Sequence, residues 1–318
     1  MVRIAVSMGD PLGIGPEVVA AALAAPTVRS AAEIVVHGDA RTLQRAAALR
    51  GVRLECEIVQ IGSLGPHPTS AEAGASALEY VRGAARACMD GQAGALCTAP
   101  LSKERVALGE RGFVGHTEYL AALTGARVAM MMAGPRLRVA LATSHLALAE
   151  VARSLTSNQI AFVAGLTARE LRECWDIASP RIAVCGLNPH AGDGGIFGDE
   201  DERIVAPGVA QAKAAGVDAT GPWPADGLFP RAARGEFDAV VALYHDQGLI
   251  PAKLLDFQST VNVTLGLPFA RTSPDHGTAD DIAWKGKADP QPMISALLLA
   301  ARLAKHVSRS VQPEDNRR

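Results

Sequence analysis

Short apolar runs alternate along this chain with longer segments in which apolar residues recur at helical spacing. Such alternation is typical of chains that bury strands in a parallel sheet and cover the sheet with helices. We therefore predict an α/β fold with a largely parallel sheet. In the predicted helix 71–89, Leu78, Val81 and Ala85 would lie on one buried face. The predicted strands are Arg3–Met8, Ile34–His37, Ala93–Thr98, Val128–Met132, Arg138–Ala142, Arg181–Gly186, Ala239–Leu243 and Thr260–Thr264.

Composition restricts the class of partner. The 318 residues are 48% hydrophobic, enough for a substantial core, and the length favours about two domains. A net charge of −2 without a block of Lys or Arg argues against a nucleic-acid or membrane surface, so the partner should be a small molecule or another protein. The N-terminus lacks a signal-peptide pattern and the five cysteines are scattered, which predicts a cytoplasmic protein.

Three histidines are the strongest functional signal. His145, His190 and His245 each follow a predicted strand within a few residues. Ligands in α/β proteins bind beyond the carboxyl ends of the strands, and imidazole is the commonest metal ligand. Any one of these histidines could instead be a hydrogen-bonding surface residue. Together they predict a divalent metal centre whose open positions would accept substrate oxygens.

Other loops offer groups for an anionic substrate. Gly115-His116-Thr117-Glu118 opens a predicted helix with Thr117 as a candidate N-cap, so it is either an anion site or a simple cap. Lys253 and Arg271 would supply positive charge, with Asn262 as a neutral donor and acceptor. The alternative is that Lys253 and Arg271 are solvated surface charges.

Three further positions have both a functional and a structural interpretation. The loop 9–17 either lies near a phosphate or is an ordinary tight connection. Asp226 either acts on a substrate or forms a turn, and His276 is expected to stabilise a turn rather than bind metal.

Eight stretches, in order along most of the chain, carry a family resemblance. They are GDPLGIGPE (9–17), GHTEYLA (115–121), TSHLAL (143–148), LNPHAGDGGIFG (187–198), GPWPAD (221–226), YHDQGLIPAK (244–253), VNVTLGLPFARTSPDHGTADDIA (261–283) and KGKADP (285–290). Taken together, these segments resemble the 4-hydroxythreonine-4-phosphate dehydrogenase family of pyridoxal phosphate biosynthesis. The family's fold is similar to that of isocitrate and isopropylmalate dehydrogenases, with two α/β/α domains flanking a cleft. The resemblance implies a first domain of 1–130 plus 270–318, and a second of 131–269 that carries metal ligands and dimer contacts.

The resemblance also implies the site. It assigns the divalent metal (Zn, Mg or Co) to His145, His190 and His245, in a site shared across a homodimer interface. It implies NAD or NADP as hydride acceptor, bound without a GxGxxG fingerprint, although the motifs identify no residue that contacts it. Trp284 stands where the family pattern has glycine, and Gly227 where Thr is common. The substrate contacts fall on His116, Thr117, Lys253, Asn262 and Arg271.

The implied reaction oxidises 4-phosphooxy-L-threonine to a β-keto acid, which decarboxylates to 3-amino-2-oxopropyl phosphate. On chemistry alone, Lys253 and Asp246 are the candidate general bases. The nearest alternative is a related dehydrogenase for threonate or erythronate 4-phosphate. A cis-dihydrodiol dicarboxylate dehydrogenase and a metal-dependent hydrolase are more distant, and a non-catalytic binding protein more distant still.

Overall fold

The protein is described here by a computed structural model that covers residues 1–310. The chain divides into two compact units. The first comprises Met1–Arg127 and the chain from Leu267 onward, and the second comprises Val128–Gly266. The predicted domain boundaries, at 130/131 and 269/270, lie three residues further along the chain.

Residues 1–310 contain eleven strands. All eight predicted strands occur, with ends shifted by no more than two residues. The strands are β1 (Val2–Ser7), β2 (Ala32–Gly38), β3 (Glu57–Gln60), β4 (Ala95–Thr98), β5 (Ala129–Ala133), β6 (Arg138–Leu141), β7 (Arg181–Cys185), β8 (Asp218–Trp223), β9 (Ala239–Ala242), β10 (Val261–Leu265) and β11 (Ala270–Pro274).

The same residues contain twelve α-helices. They are α1 (Gly15–Ala24), α2 (Pro26–Ala31), α3 (Ala40–Arg50), α4 (Ser70–Met89), α5 (Lys103–Ala107), α6 (His116–Thr124), α7 (Leu148–Ser154), α8 (Ser157–Trp175), α9 (Ala206–Ala214), α10 (Ala225–Ala233), α11 (His245–Asp256) and α12 (Gln291–Ser310).

In the first unit the strands run parallel in the order β3-β2-β1-β4-β11. Helix α4 packs against β1, β2 and β4, while α12 packs against β1, β4 and β11. A capping box between Thr69 and Glu72 begins α4. The predicted apolar face of this helix is confirmed, since Leu78, Val81 and Ala85 are buried in the core beneath it. The carboxyl ends of these strands therefore share one edge.

In the second unit the order is β10-β5-β6-β9-β7-β8. Strands β6, β9, β7 and β8 are parallel, whereas β5 runs antiparallel to both β10 and β6. Helices α8 and α11 both pack against β6 and β9. The predicted α/β fold with a largely parallel sheet is confirmed. The strands that precede the three histidines, β6, β9 and β7, are neighbours in this sheet, so their carboxyl ends lie side by side.

Candidate functional site

His145 and His245 lie together at the carboxyl edge of the second unit's sheet. The two residues come after the adjacent strands β6 and β9 in sequence, and their ring centroids are 5.9 Å apart. Both rings line a cavity of about 320 Å³, whose walls include Tyr244 and Asp246. Two of the three histidines that the sequence placed at strand ends are thus close in space.

The His245 ring is oriented by its neighbour in sequence. Its Nδ1 atom lies 2.7 Å from Oδ1 of Asp246, and the two residues open α11. A histidine that binds a metal commonly donates its other ring N–H to a carboxylate, which selects the tautomer and the ring orientation. The geometry therefore gives Asp246 an orienting contact and makes Nε2 of His245 the nitrogen suited to an ion.

His190 lies on a different kind of backbone. It belongs to the turn Pro189–Gly195, and its φ of 54° is left-handed, as is that of Ala191 at 55°. Non-glycine residues adopt this region at a cost of about 1–3 kcal/mol, and such positions cluster at ligand sites. The turn is anchored where the Leu187 and Asn188 amides donate to the Asp201 carboxylate, at 2.7 and 2.9 Å.

The His190 side chain is exposed, and its ring lies 6.1 Å from that of Phe197. Among residues 1–310 of one chain, no group of three or more His, Cys, Asp or Glu side chains is placed to hold a metal ion. A single chain therefore presents a histidine pair and, separately, a third histidine on a strained turn.

Arg271 lies in the core of the first unit, not on its surface. Its relative exposure is 2%, and its Nη2 donates a 2.6 Å hydrogen bond to Oγ1 of Thr98 on the adjacent strand. Burial lowers the pKa of the guanidinium to about 10, against the opposing effects of Cys97 and Glu118. A buried cation is costly unless it is compensated, so the solvated-surface interpretation of Arg271 is wrong.

His116 is the first residue of α6 and lies in the electrostatic field of Arg271. Burial, with the positive charges of Arg271 and Lys103, holds the pKa of His116 well below its ordinary value. The ring is therefore neutral near pH 7. Its Nε2 is buried and has no hydrogen-bond partner within the described part of the chain. A buried polar atom of this kind is a natural contact for a bound anion or hydroxyl.

The predicted helix cap at Thr117 is wrong. Helix α6 begins two residues earlier, with Gly115 as the N-cap and without a side-chain cap. The backbone of Gly115 is extended, so the chain enters the helix at His116. Thr117 therefore lies inside the first turn of the helix.

Lys103 was missed by the sequence reasoning. It is the first residue of α5, and its ammonium group lies beside Gly115. A Cβ atom at Gly115 would be 3.7 Å from the Lys103 Nζ. Its charge also acts on His116. The available signal was position, because Lys103 follows β4 at the same sheet edge as the other candidates. The two cations Lys103 and Arg271, together with the neutral ring of His116, are called the cationic cluster of the first unit.

Lys253 and Asn262 belong to the second unit. Lys253 lies two turns into α11 from His245, and Asn262 lies on β10. The Asn262 Oδ1 atom is buried and lacks a hydrogen-bond partner among the described residues. Asn262 thus offers a desolvated acceptor.

The loop 9–17 uses its acidic groups to hold the protein together. The Asp10 carboxylate is fully buried and accepts from the Leu12 amide at 2.8 Å and from Arg105 Nη1 at 2.9 Å. Glu17 accepts from the amides of Trp284 and Gly286. These contacts support the structural interpretation of the loop.

Two other candidates also have local structural contacts. Asp226 lies in the first turn of α10 and accepts from the Gly227 amide at 2.9 Å. The Nδ1 atom of His276 lies 3.1 Å from the Gly277 carbonyl oxygen, as expected of a residue that stabilises a turn. Across residues 1–310, no helix has the length and apolar character needed to cross a membrane.

The family described as "Pyridoxal phosphate biosynthetic protein PdxA" matches residues 17–300. A 4-hydroxythreonine-4-phosphate dehydrogenase from Geobacter metallireducens is 46% identical, over 95% of this chain and 96% of its own. A D-threonate 4-phosphate dehydrogenase from Cupriavidus necator is 43% identical, over 95% and 97%.

The solved structure of a 4-hydroxythreonine-4-phosphate dehydrogenase from Klebsiella pneumoniae superposes with a TM-score of 0.85 at 42% identity, over 96% of this chain and all of that one. A β-decarboxylating dehydrogenase from Thermococcus kodakarensis shares the fold alone, with a TM-score of 0.51 at 16% identity, over 95% of this chain and 82% of that one. The expected dehydrogenase-like fold is thereby confirmed.

Proposed function

The chain belongs to the PdxA family of pyridoxal phosphate biosynthetic proteins, and from that premise we propose that it oxidises 4-phosphooxy-L-threonine with NAD in a divalent-metal-dependent reaction. The family resemblance drawn from the motifs is confirmed, and the relatives named above are dehydrogenases. The proposed product is a β-keto acid that loses carbon dioxide to give 3-amino-2-oxopropyl phosphate, in pyridoxal phosphate biosynthesis.

The observation that carries the proposal is the pair of imidazoles at neighbouring strand ends. The donors fit a divalent transition ion, because His145 and His245 are adjacent and Asp246 orients one ring. Imidazole nitrogen suits zinc or cobalt better than magnesium, which prefers oxygen ligands. When bound there, the ion would supply Lewis-acid polarisation of the substrate alcohol.

We assign the third ligand, His190, to a second copy of the chain. One chain alone holds no three-ligand group within residues 1–310, and His190 lies exposed on a strained turn. A homodimer that brings this turn to the histidine pair of its partner completes the set. The site then depends on the dimer.

The cationic cluster is proposed to bind the phosphate or the carboxylate of the substrate. Arg271 supplies planar donors whose direction is set by Thr98, and Lys103 supplies a mobile ammonium. His116 contributes a neutral ring with an available nitrogen. Binding both ends of the substrate holds its alcohol still for the transfer of hydride. Thr117, Lys253 and Asn262 complete the proposed substrate contacts.

Lys253 is the proposed general base. Oxidation removes a proton from the alcohol oxygen and a hydride from the adjacent carbon. NAD, when bound, would supply the hydride acceptor. Asp246 is the other candidate for the proton, but its carboxylate already contacts Nδ1 of His245. We therefore give Asp246 a positioning role and Lys253 the proton transfer.

D-threonate 4-phosphate is the second candidate substrate, favoured by the relative at 43% identity. It differs by a hydroxyl in place of the amine, so the same phosphate and carboxylate contacts would hold it. A cis-dihydrodiol dicarboxylate lacks the phosphate that appears in the names of both relatives described above, and we therefore place it behind the two phosphorylated acids. A hydrolase would use the same metal ligands but would produce no NADH.

One assay separates these candidates. The protein is incubated with a divalent metal, NAD and either phosphorylated acid, and NADH is followed by absorbance. The proposal expects NADH with 4-phosphooxy-L-threonine at a higher kcat/KM than with D-threonate 4-phosphate. A reversed preference would select the second candidate, and phosphate release without NADH would select a hydrolase.

A further inference from the structure

A second cavity lies in the first unit. None of the residues of the cationic cluster lines it. Its volume is about 720 Å³, within the range of about 300–1,000 Å³ typical of small-molecule sites. It is built at the carboxyl ends of β1, β2 and β3, from the loops that follow those strands, and Trp284 also lines it. Parallel α/β sheets bind ligands at this edge.

The walls of the cavity carry net positive charge. Arg41 and Arg45 project from α3, and neither has a carboxylate within ion-pair distance in the part of the chain described. The acid in the lining is Asp39, which caps α3 and accepts from the Thr42 amide and hydroxyl, both at 2.8 Å. Gln60 donates to its other oxygen at 3.1 Å. The carboxylate is thus already used by the protein, and the arginines remain available to an anion.

Trp284 adds an aromatic surface at a position that disfavours it. Its φ of 59° is left-handed, a region where glycine is preferred and other residues are strained. The indole Nε1 donates to the Pro11 carbonyl at 3.0 Å, which holds the ring in place. The Arg45 guanidinium lies over that ring, 3.9 Å from its centroid. Stacked aromatic and guanidinium groups are the surfaces on which nucleic-acid bases stack.

We propose that this cavity binds the adenosine phosphate portion of a nucleotide. Arg41 and Arg45 would bind the phosphate, and the Arg45–Trp284 stack and the apolar walls formed by Leu12 and Leu64 would receive the purine. The inference rests on the proposed function in one respect, since NAD, the hydride acceptor of the proposed reaction, carries an adenosine phosphate group. A free adenine nucleotide has the same chemistry, and the test separates the two.

The test measures binding of ADP-ribose, which lacks the nicotinamide, by isothermal titration calorimetry. The double variant Arg41→Ala/Arg45→Ala should bind it at least about tenfold more weakly than the wild type, because hydrogen bonds to charged groups are lost. Trp284→Gly should lose about tenfold through the missing stack. Arg53→Ala is the matched control, since that side chain is 88% exposed and lies outside the cavity lining; its affinity should be unchanged.

Competition identifies the source of the ligand. Displacement of ADP-ribose by NAD makes the dinucleotide the ligand, and displacement by ATP but not by NAD makes it a free nucleotide. Equal affinity in the wild type and the double variant, or no binding by the wild type, would overturn the proposal. NADH formation by the wild type is measured separately. If the wild type forms NADH and the variants bind ADP-ribose as tightly as the wild type, the cavity assignment is wrong and the proposed function stands.

Discussion

The rings of His145 and His245 lie 5.9 Å apart at the ends of two adjacent parallel strands, although 100 residues separate them in the chain. Each side chain reaches this edge because its strand delivers it there, and the order of the strands makes the two sites neighbours. Metal ligation by this pair, completed by His190 of a second copy, is the part of the account that can be tested first.

Mixed dimers test the assignment of His190. His190→Ala and His245→Ala should each lose bound metal and turnover as homodimers. A mixed dimer of the two variants should regain one intact site, because one chain still supplies His145 and His245 while the other supplies His190. Metal content and turnover after the two variants are unfolded and refolded together would measure this.

The control for this experiment is Arg53→Ala, at a side chain of the first unit that is 88% exposed, which should keep its metal. If the mixed sample recovers no metal while each variant still forms dimers, His190 and His245 act within the same chain. That result would contradict the shared site.

Substrate binding by Arg271 should depend on Thr98, which orients the guanidinium. Thr98→Val removes the hydroxyl that accepts the 2.6 Å hydrogen bond, whereas Thr98→Ser keeps it. We expect Arg271→Ala to raise KM for the phosphorylated substrate by about tenfold to a hundredfold, from the loss of charge-assisted hydrogen bonds. Thr98→Val should cause a smaller rise and Thr98→Ser almost none, with NAD affinity retained throughout. Unchanged KM in Arg271→Ala would remove the residue from the substrate site.

His116 should make the protein sensitive to acid. The pKa of this residue is lowered in the folded state by burial and by the charges of Arg271 and Lys103, from an ordinary value of 6.5. Below that value the unfolded chain takes up a proton that the folded chain does not, so the free energy of unfolding decreases as pH falls. His37, whose pKa is lowered chiefly by burial, adds a contribution of the same sign.

Urea denaturation at a series of pH values between 7 and roughly 5 measures this effect. His116→Asn should lose stability less steeply with falling pH than the wild type. Parallel pH dependence in the two proteins would show that His116 titrates normally in the folded state.

The ion pair between Asp10 and Arg105 should contribute strongly to stability. The Asp10 side chain is fully buried and its partner is 17% exposed, with 2.9 Å between the charged atoms. Removing Arg105 leaves a buried carboxylate without its cation, which typically costs about 3–5 kcal/mol. We expect a loss of about 3 kcal/mol in Arg105→Ala by chemical denaturation. Arg53→Ala, at an exposed pair, should change the free energy of unfolding by less than about 0.5 kcal/mol.

The sequence predicted the strands that are marked by a local pattern of apolar residues. Strands buried on both faces appear as apolar runs, which is why eight were predicted near their observed bounds. Three were missed for identifiable reasons. Strand β3 is half exposed, β8 lies at the edge of its sheet and contains Gly221 and Pro222, and β11 buries the polar residues Arg271, Thr272 and Ser273.

The sequence nominates candidate site residues but does not give their arrangement in space. Motifs placed the histidines at strand ends, but strand order, which makes β6 and β9 adjacent, is a tertiary property. The burial of Arg271 was also hidden, because an arginine in sequence is normally a surface residue. Lys103 was missed because its local sequence is that of an ordinary helix start, and its position after β4 is the one feature that marks it.

The most direct measurement is NADH formation by the purified protein with 4-phosphooxy-L-threonine, NAD and zinc or cobalt. The account predicts a rise in NADH absorbance that requires the phosphorylated substrate, stops when the metal is chelated, and is absent in His190→Ala. A rate that is unchanged after complete removal of metal, or no NADH with any phosphorylated hydroxy acid, would contradict it.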